Sequence, residues 1–315
     1  MAELRGAGDE PDDGDTSARR LAVDVGDAAG EVRSRHEPSP RAEYTDVLRQ
    51  ATAKPNVGQA DMSPVDTDQA ETDQGAEASI ANVLERFDPR RAGLPEVSRE
   101  DAAAYIEEHH ADRPWLAPAR DCSPDVQRVI VALDQGGGHA HIRHDGWVTE
   151  EMNERRVKNL EDPAQLDPDK RRDGIDGLAA GDLPHWCGRI ATRITDPKVF
   201  AIAFTNGVEH PDVRAALDST GPRPEPVTLP IAEVLGENGH KSCSGWQLEP
   251  VNGSMSAARA NRDAWAAGDH NGPEPRAFPV ETFEGGTVTF AFRRNAVGGY
   301  ETSTMYVNPP NGQPT

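Results

Sequence analysis

The sequence predicts an α+β fold: N-terminal helices followed by a twisted antiparallel sheet ending in a β-hairpin, preceded by a largely disordered N-terminal region. Three observations predict it. Helix-start signals recur along the middle of the chain, at Ser98, Ser123-Pro124, Thr149 and Pro197. Near the C-terminus, "GTVTFAFRR" and "YETSTMYV" alternate with period two around the turn "NAVGG". The first 75 residues are acidic and rich in Ala, Asp, Gly and Pro, without sustained periodicity.

Taken in order, residues 1–75 read as a disordered acidic region and 76–125 as a short helical linker region containing "SIANVLERF" and "SREDAAAYIEEHH". Ser98 is the N-cap of the second of these, with Asp101 in the positive first turn. Residues 126–309 read as the ordered domain and 310–315 as a tail. Within the domain, Thr149 caps "TEEMNERRVKNL", and Glu150 and Glu151 suit the positive end of its dipole. A helix opens at "TDPKVFAIAF" and breaks near Gly207; "HPDVRAAL" follows as another. Prolines and glycines return over 221–279, which reads as an insertion. Strand alternation then places Tyr300, Thr302, Thr304 and Tyr306 on one face.

Composition narrows the function. A formal net charge of -21 works against indiscriminate binding to nucleic acid or anionic lipid, so any role on RNA needs a local basic patch. No apolar run is long enough to span a membrane, and "MAELRGAGDEPDDGD" lacks the basic and apolar regions of a signal peptide. The expected location is cytoplasmic, or exported without a Sec signal and acting in a cytosol. Cys122, Cys187 and Cys243 are an odd number without paired spacing; three free thiols are expected, a Cys187–Cys243 disulfide being the alternative.

The chemistry gathers in "GGGHAHIRHDGWVTEEMNERRVKNL". His139 and His141, with His185 or Cys187, offer metal ligands, but their spacing matches no common structural zinc pattern; no metal and no cofactor is expected. Phosphate chemistry accounts for more of the residues. Cleaving RNA without a metal needs a base for the 2'-OH proton, a cation for the charge on phosphorus and an acid for the leaving oxygen. Imidazole serves as acid or base near neutrality, arginine holds phosphate through paired hydrogen bonds, and Thr and Tyr hydroxyls donate further ones. Taken singly, each has an ordinary reading: His141 as a solvated loop residue, Arg155, Arg156 and Lys158 as a wet helix face.

"GGGHAHIRHDGWVTEEMNERRV" resembles the GGHxxxRHxGxT…LxxR entry of bacterial RNase A-like toxin domains, found at the C-termini of contact-dependent inhibition and other polymorphic toxins. "ATRITDPKVFAIAF" is similar to that family's S-x-F-x-D segment, and "GGYETSTMYVNP" to its closing Thr-x-Tyr-Pro strand, although Val307 and Asn308 here precede the proline. The resemblance implies that His144, Arg155, Thr304 and Tyr306 occupy catalytic positions with His139 as partner. Arg143, Arg156, Lys158 and Thr302 are expected to bind substrate. Helical phase disagrees on one point, since Met152, Val157 and Leu160 define an apolar arc that includes Arg156 rather than Arg155. The implied activity is a metal-independent endoribonuclease, toxin or effector, leaving a 2',3'-cyclic phosphate. The implied partners are RNA, tRNA among the candidates, and a cognate immunity protein. An EndoU-type RNase and a non-catalytic scaffold with a structural histidine turn are the alternatives.

Overall fold

The computed structural model describes residues 82–310. The acidic region 1–75, the start of the expected linker and residues 311–315 of the expected tail lie outside the described residues. Helices and antiparallel strands are both present and interleave along the chain.

Local chemistry sets most helix starts. The Ser98 hydroxyl accepts from the Asp101 N–H at 3.0 Å to open α1 (Arg99–His109). Pro124 occupies the first turn of α2 (Pro124–Gly136), which ends on Gly137 in the left-handed region, φ 75°. The short α3 (Ala140–His144) follows at once. Thr149 accepts from the Met152 N–H at 3.2 Å to cap α4 (Glu150–Asn159). After α5 (Pro168–Arg172) and strand β1 (Ile190–Ile194), Asp196 caps α6 (Pro197–Glu209).

α6 runs through Gly207, where the sequence predicted a break, because a Cβ there would lie 1.9 Å from the Phe290 ring. The glycine is kept for that close approach rather than to end the helix. Every residue from Phe200 to Val208 is buried, so α6 is the central helix. α7 (Pro211–Leu217), β2 (Val227–Pro230), α8 (Ile231–Leu235), β3 (Cys243–Leu248), α9 (Met255–Ala266), β4 (Ala277–Pro279), β5 (Thr287–Arg294) and β6 (Tyr300–Asn308) complete the order.

The strands form two three-stranded antiparallel sheets, ordered β1-β3-β4 and β2-β5-β6. The Thr192 hydroxyl of β1 donates to the Val307 carbonyl of β6 at 2.6 Å and ties one sheet to the other. Residues 221–279 are therefore not an insertion: they supply β2, which pairs with β5, and β3, which pairs with β1 and β4. Nor is the segment before residue 126 a linker. Leu84, Phe87, Leu94, Ile106, Trp115 and Leu116 share one apolar core with Ile130, Phe204 and Phe290. A chain with few aromatics needs these side chains to close its core.

One strand feature sets up the site. Ala291 pairs with Thr304 and its neighbour Phe292 with Thr302, so Ser303 is an extra residue in β6. Adjacent residues of β5 point to opposite faces, and their partners do likewise. The expected single row of hydroxyls is thus split. Thr302 and Tyr300 turn toward the core side with Phe292, while Thr304 and Tyr306 share the other face. Cys122, Cys187 and Cys243 are all free thiols. Among the described residues, no helix is long and apolar enough to cross a membrane.

Candidate active site

The glycine run has a steric cause. A Cβ on Gly138 would sit 2.8 Å from the Thr302 carbonyl oxygen and 3.1 Å from that of Ser303. Only a bare backbone can press so close to the bulge, and the His139 N–H uses that approach to donate to the Ser303 carbonyl at 2.9 Å. The α2–α3 turn is thereby fastened to β6, and α3 carries His144 to Tyr306. Their ring centroids lie 5.6 Å apart, although 162 residues separate them along the chain.

His144 is 8% exposed, and its Nδ1 lies 2.9 Å from the Thr192 carbonyl oxygen. A carbonyl only accepts, so Nδ1 carries the hydrogen and Nε2 keeps its lone pair. Nε2 has no hydrogen-bond partner among the described residues. Burial, with the positive charge of Arg156 second, pushes this imidazole well below its ordinary pKa. His139, half-buried at the start of α3, is pushed down to about 3 by burial and by Arg143 and Arg156. Both rings are neutral at pH 7. Burial raises the Tyr306 phenol, which keeps its proton throughout that range.

The two candidate arginines of α4 part company. Arg155 is exposed, pairing with Glu151 at 2.5 Å one turn back and lying 3.8 Å from Glu161. The family-derived position is therefore on the solvent side. Arg156 is 7% exposed, on the buried face with Asn153 and Val157. Its Nε donates to His185 Nε2 at 3.2 Å and one terminal nitrogen donates to the Arg143 carbonyl at 3.1 Å. Arg143, Arg156 and Arg262 are the buried arginines among the described residues, and of these Arg156 alone has no carboxylate within 4.0 Å. A charge taken from water and held by neutral acceptors is costly, and an anion relieves it.

Arg143, expected to bind substrate, has its charge committed. It meets Asp162 through two nitrogens at 2.9 and 2.6 Å and Asp176 at 2.9 Å. Lys158 is also removed from the expected role: it pairs with Glu154 at 3.4 Å one turn back. Thr302 is fully buried beside Phe292, so it does not reach the site face. Thr304 keeps to that face, and its hydroxyl is buried without a partner.

His141 is the reverse of the solvated residue expected. It is 0% exposed, with Nε2 3.1 Å from an Asp134 carboxylate oxygen that the Trp115 indole also reaches at 2.7 Å. Alone, burial would raise the Asp134 carboxyl; the bonds from His141, Trp115 and Tyr105 outweigh it and hold the group below the usual range. That imidazole belongs to the scaffold. Asp145 is buried and pushed up to about 8 by that burial, so it is uncharged at neutral pH and adds no negative field beside His144.

Sequence reasoning did not assign a role to Asp162, Asp176 or His185 in holding the arginines. Burial lowers His185 to about 4, and its Nδ1 faces Asp176 at 3.4 Å, leaving Nε2 to accept from Arg156. Asp162, Asp176 and His185 offer ligand atoms within 4.8 Å of one another, the geometry of a metal site. Arg143 already bridges both carboxylates, so a cation there has to displace a guanidinium. Their fit to a metal is poor.

The α3–β6 junction thus holds the His144 and Tyr306 rings in contact, with the neutral His139 ring, the unpartnered Thr304 hydroxyl and, on α4, a buried Arg156 that has no carboxylate within 4.0 Å. Groups of these kinds are able to bind an anion and to move protons. Compared with family models, curated proteins and solved structures, the chain matches none.

Proposed function

We propose that this protein is a metal-independent endoribonuclease, a toxin or effector that cleaves RNA by attack of the 2'-hydroxyl on the adjacent phosphorus. The observation that carries the reading is the meeting of His144 and Tyr306 beside Arg156, a guanidinium whose charge no carboxylate has taken.

His144 Nε2 removes the 2'-OH proton, since the lone pair is free and the ring neutral. Oxygen attacks phosphorus, the bond to the 5'-oxygen breaks, and a 2',3'-cyclic phosphate remains. Arg156 holds a non-bridging oxygen, and the Tyr306 and Thr304 hydroxyls donate to the same group. His139 returns a proton to the leaving oxygen. Burial first, then the charges of Arg143 and Arg156, hold this ring unprotonated near neutrality; the negative charge of a bound phosphate opposes the arginines and favours the protonated ring that gives this proton. RNA, tRNA among the candidates, is the substrate in this reading. A toxin of this kind acts in a cytosol and calls for a cognate immunity protein.

Incubation of the purified chain with total RNA in EDTA tests the reading. Expected are fragments with 2',3'-cyclic ends, absent for His144→Ala. Intact RNA from the folded wild-type chain, with tRNA and rRNA both present, contradicts it.

A further inference from the structure

Period-two alternation along β5 sends Val288 and Phe290 into the core and leaves Thr287 and Thr289 on the opposite face, which is the face of Tyr306. Register then sets three hydroxyl-bearing residues in a line across the sheet. Thr228 of β2 pairs with Thr289 of β5, and Thr289 pairs with Tyr306 of β6. Neighbouring strands run about 4.8 Å apart, so these side chains stand beside one another.

Thr289, in the middle of that line, is only 5% exposed, whereas Thr228 is exposed and Thr287 half-buried. A buried hydroxyl finds its partners within the protein, and Thr289 finds three. Its Oγ1 accepts from Asn308 Nδ2 at 2.9 Å and lies 3.0 Å from Thr228 Oγ1. It also bonds the Tyr306 phenol: burial raises that phenol, and the Thr289 bond works against the rise. A hydroxyl has two lone pairs and one hydrogen. Asn308 fills one lone pair, so the other lone pair and the hydrogen are left for Thr228 and Tyr306. Once Tyr306 gives its own hydrogen to an anion, its oxygen can only accept from Thr289, and Thr228 donates to Thr289 in turn. Every hydrogen along the line then points toward the anion, and successive bonds in such a chain polarise one another.

We infer that Thr289 is a positioning residue for Tyr306: held by Asn308 and Thr228, it donates to the phenol oxygen and leaves the phenol hydrogen for the substrate phosphate. This rests on the phosphate-site reading above and adds the group that keeps Tyr306 a donor. Valine at this position keeps the branched shape that a strand favours and removes the hydroxyl.

Two measurements on the full chain test the inference: steady-state RNA cleavage, and the alkaline titration of Tyr306 followed through the ring resonances of isotope-labelled tyrosine, assigned with Tyr306→Phe. For Thr289→Val the expected kcat is lowered roughly five- to tenfold, the worth of one ordinary hydrogen bond, with KM unchanged. Its phenol should ionise at higher pH than in wild type, because a donor to the phenolate is gone. Thr289→Ser, which keeps the hydroxyl, restores both. A phenol that titrates alike in wild type and Thr289→Val overturns the inference, whether or not RNA is cut. A shifted phenol with kcat unchanged overturns it too. The shift in a protein whose wild-type form leaves RNA intact keeps the Thr289–Tyr306 bond and removes the ribonuclease reading.

Discussion

Replacing Arg156 with Gln separates function from stability. The side chain makes two hydrogen bonds to neutral acceptors, His185 Nε2 and the Arg143 carbonyl, at 3.2 and 3.1 Å. Losing them costs about 1 kcal/mol each, or somewhat more where an acceptor stays buried and unmet. Against this stands the penalty for keeping a charge out of water, several kcal/mol per ion where no counter-ion compensates. The second quantity is the larger. Arg156→Gln should therefore melt at the same temperature as wild type or above it. Removing a transition-state donor to phosphate costs roughly 100- to 1,000-fold in rate, so its RNA cleavage should fall by that factor. Arg143→Gln should behave oppositely and lose ~3 kcal/mol of stability, because the buried Asp162 and half-buried Asp176 keep their charges with only backbone N–H groups and the neutral His185 beside them and no counter-ion. Arg155→Gln breaks only exposed contacts and should change stability by less than about 0.5 kcal/mol and activity little. The assay is a thermal melt beside a fluorogenic RNA cleavage rate for all three variants. Wild-type cleavage by Arg156→Gln, with loss in Arg155→Gln, would falsify the assignment.

Other outcomes follow from the same geometry. His144→Asn keeps a donor toward the Thr192 carbonyl but has no basic nitrogen, so it should fold and yet lose cleavage; activity near wild type excludes His144 as the base. Gly138→Ala should destabilise by more than about 2 kcal/mol in urea, since the new methyl meets two backbone carbonyls that cannot move aside; an unchanged midpoint contradicts the steric account of the turn. Stability should fall as pH drops from 6.5 toward 4.5. In the unfolded chain His139, His144 and His185 take protons near ~6.5, while the folded pKa is about 3 for His139, about 4 for His185 and well below the ordinary value for His144. Asp145 opposes them, because its folded carboxyl holds a proton up to about 8 and the unfolded one releases it. The balance is an uptake of about two protons on unfolding in that window, read from urea midpoints against pH; midpoints that rise on acidification count against the buried neutral rings.

Where the chemistry was local, the sequence made the structure legible. Ser98 and Thr149 cap because their hydroxyls reach an N–H three residues on, a contact that depends on nothing distant. The α+β character was visible for the same reason, in helical and strand periodicity. Gly207 was misread because the ring that requires it, Phe290, is 83 residues away. Residues 221–279 looked like an insertion because β2 and β3 are short and pair with strands far off in sequence.

The candidate site divides along the same line. The His144 and Tyr306 rings meet, and the His139 backbone meets that of Ser303 in the same strand, β6. The bulge at Ser303, invisible to period-two counting, turned Thr302 away. Helical phase identified the inward arginine of α4 better than the family resemblance did, because one face of that helix must pack whatever the motif. His141 was read as solvated because Asp134, its partner from the preceding helix, gives no sign in sequence of sharing a buried pocket with Trp115.

Calorimetry with a deoxydinucleotide tests the anion pocket most directly. Its phosphodiester stays ionised across the range, and it has no 2'-hydroxyl to react. At pH 6, in two buffers of different ionisation enthalpy, the wild-type chain should bind it with net proton uptake, as the phosphate charge raises the pKa of His139 or His144. Arg156→Gln should bind it far more weakly. Wild-type binding without proton uptake, or equal binding by Arg156→Gln, contradicts a pocket built from those imidazoles and that guanidinium.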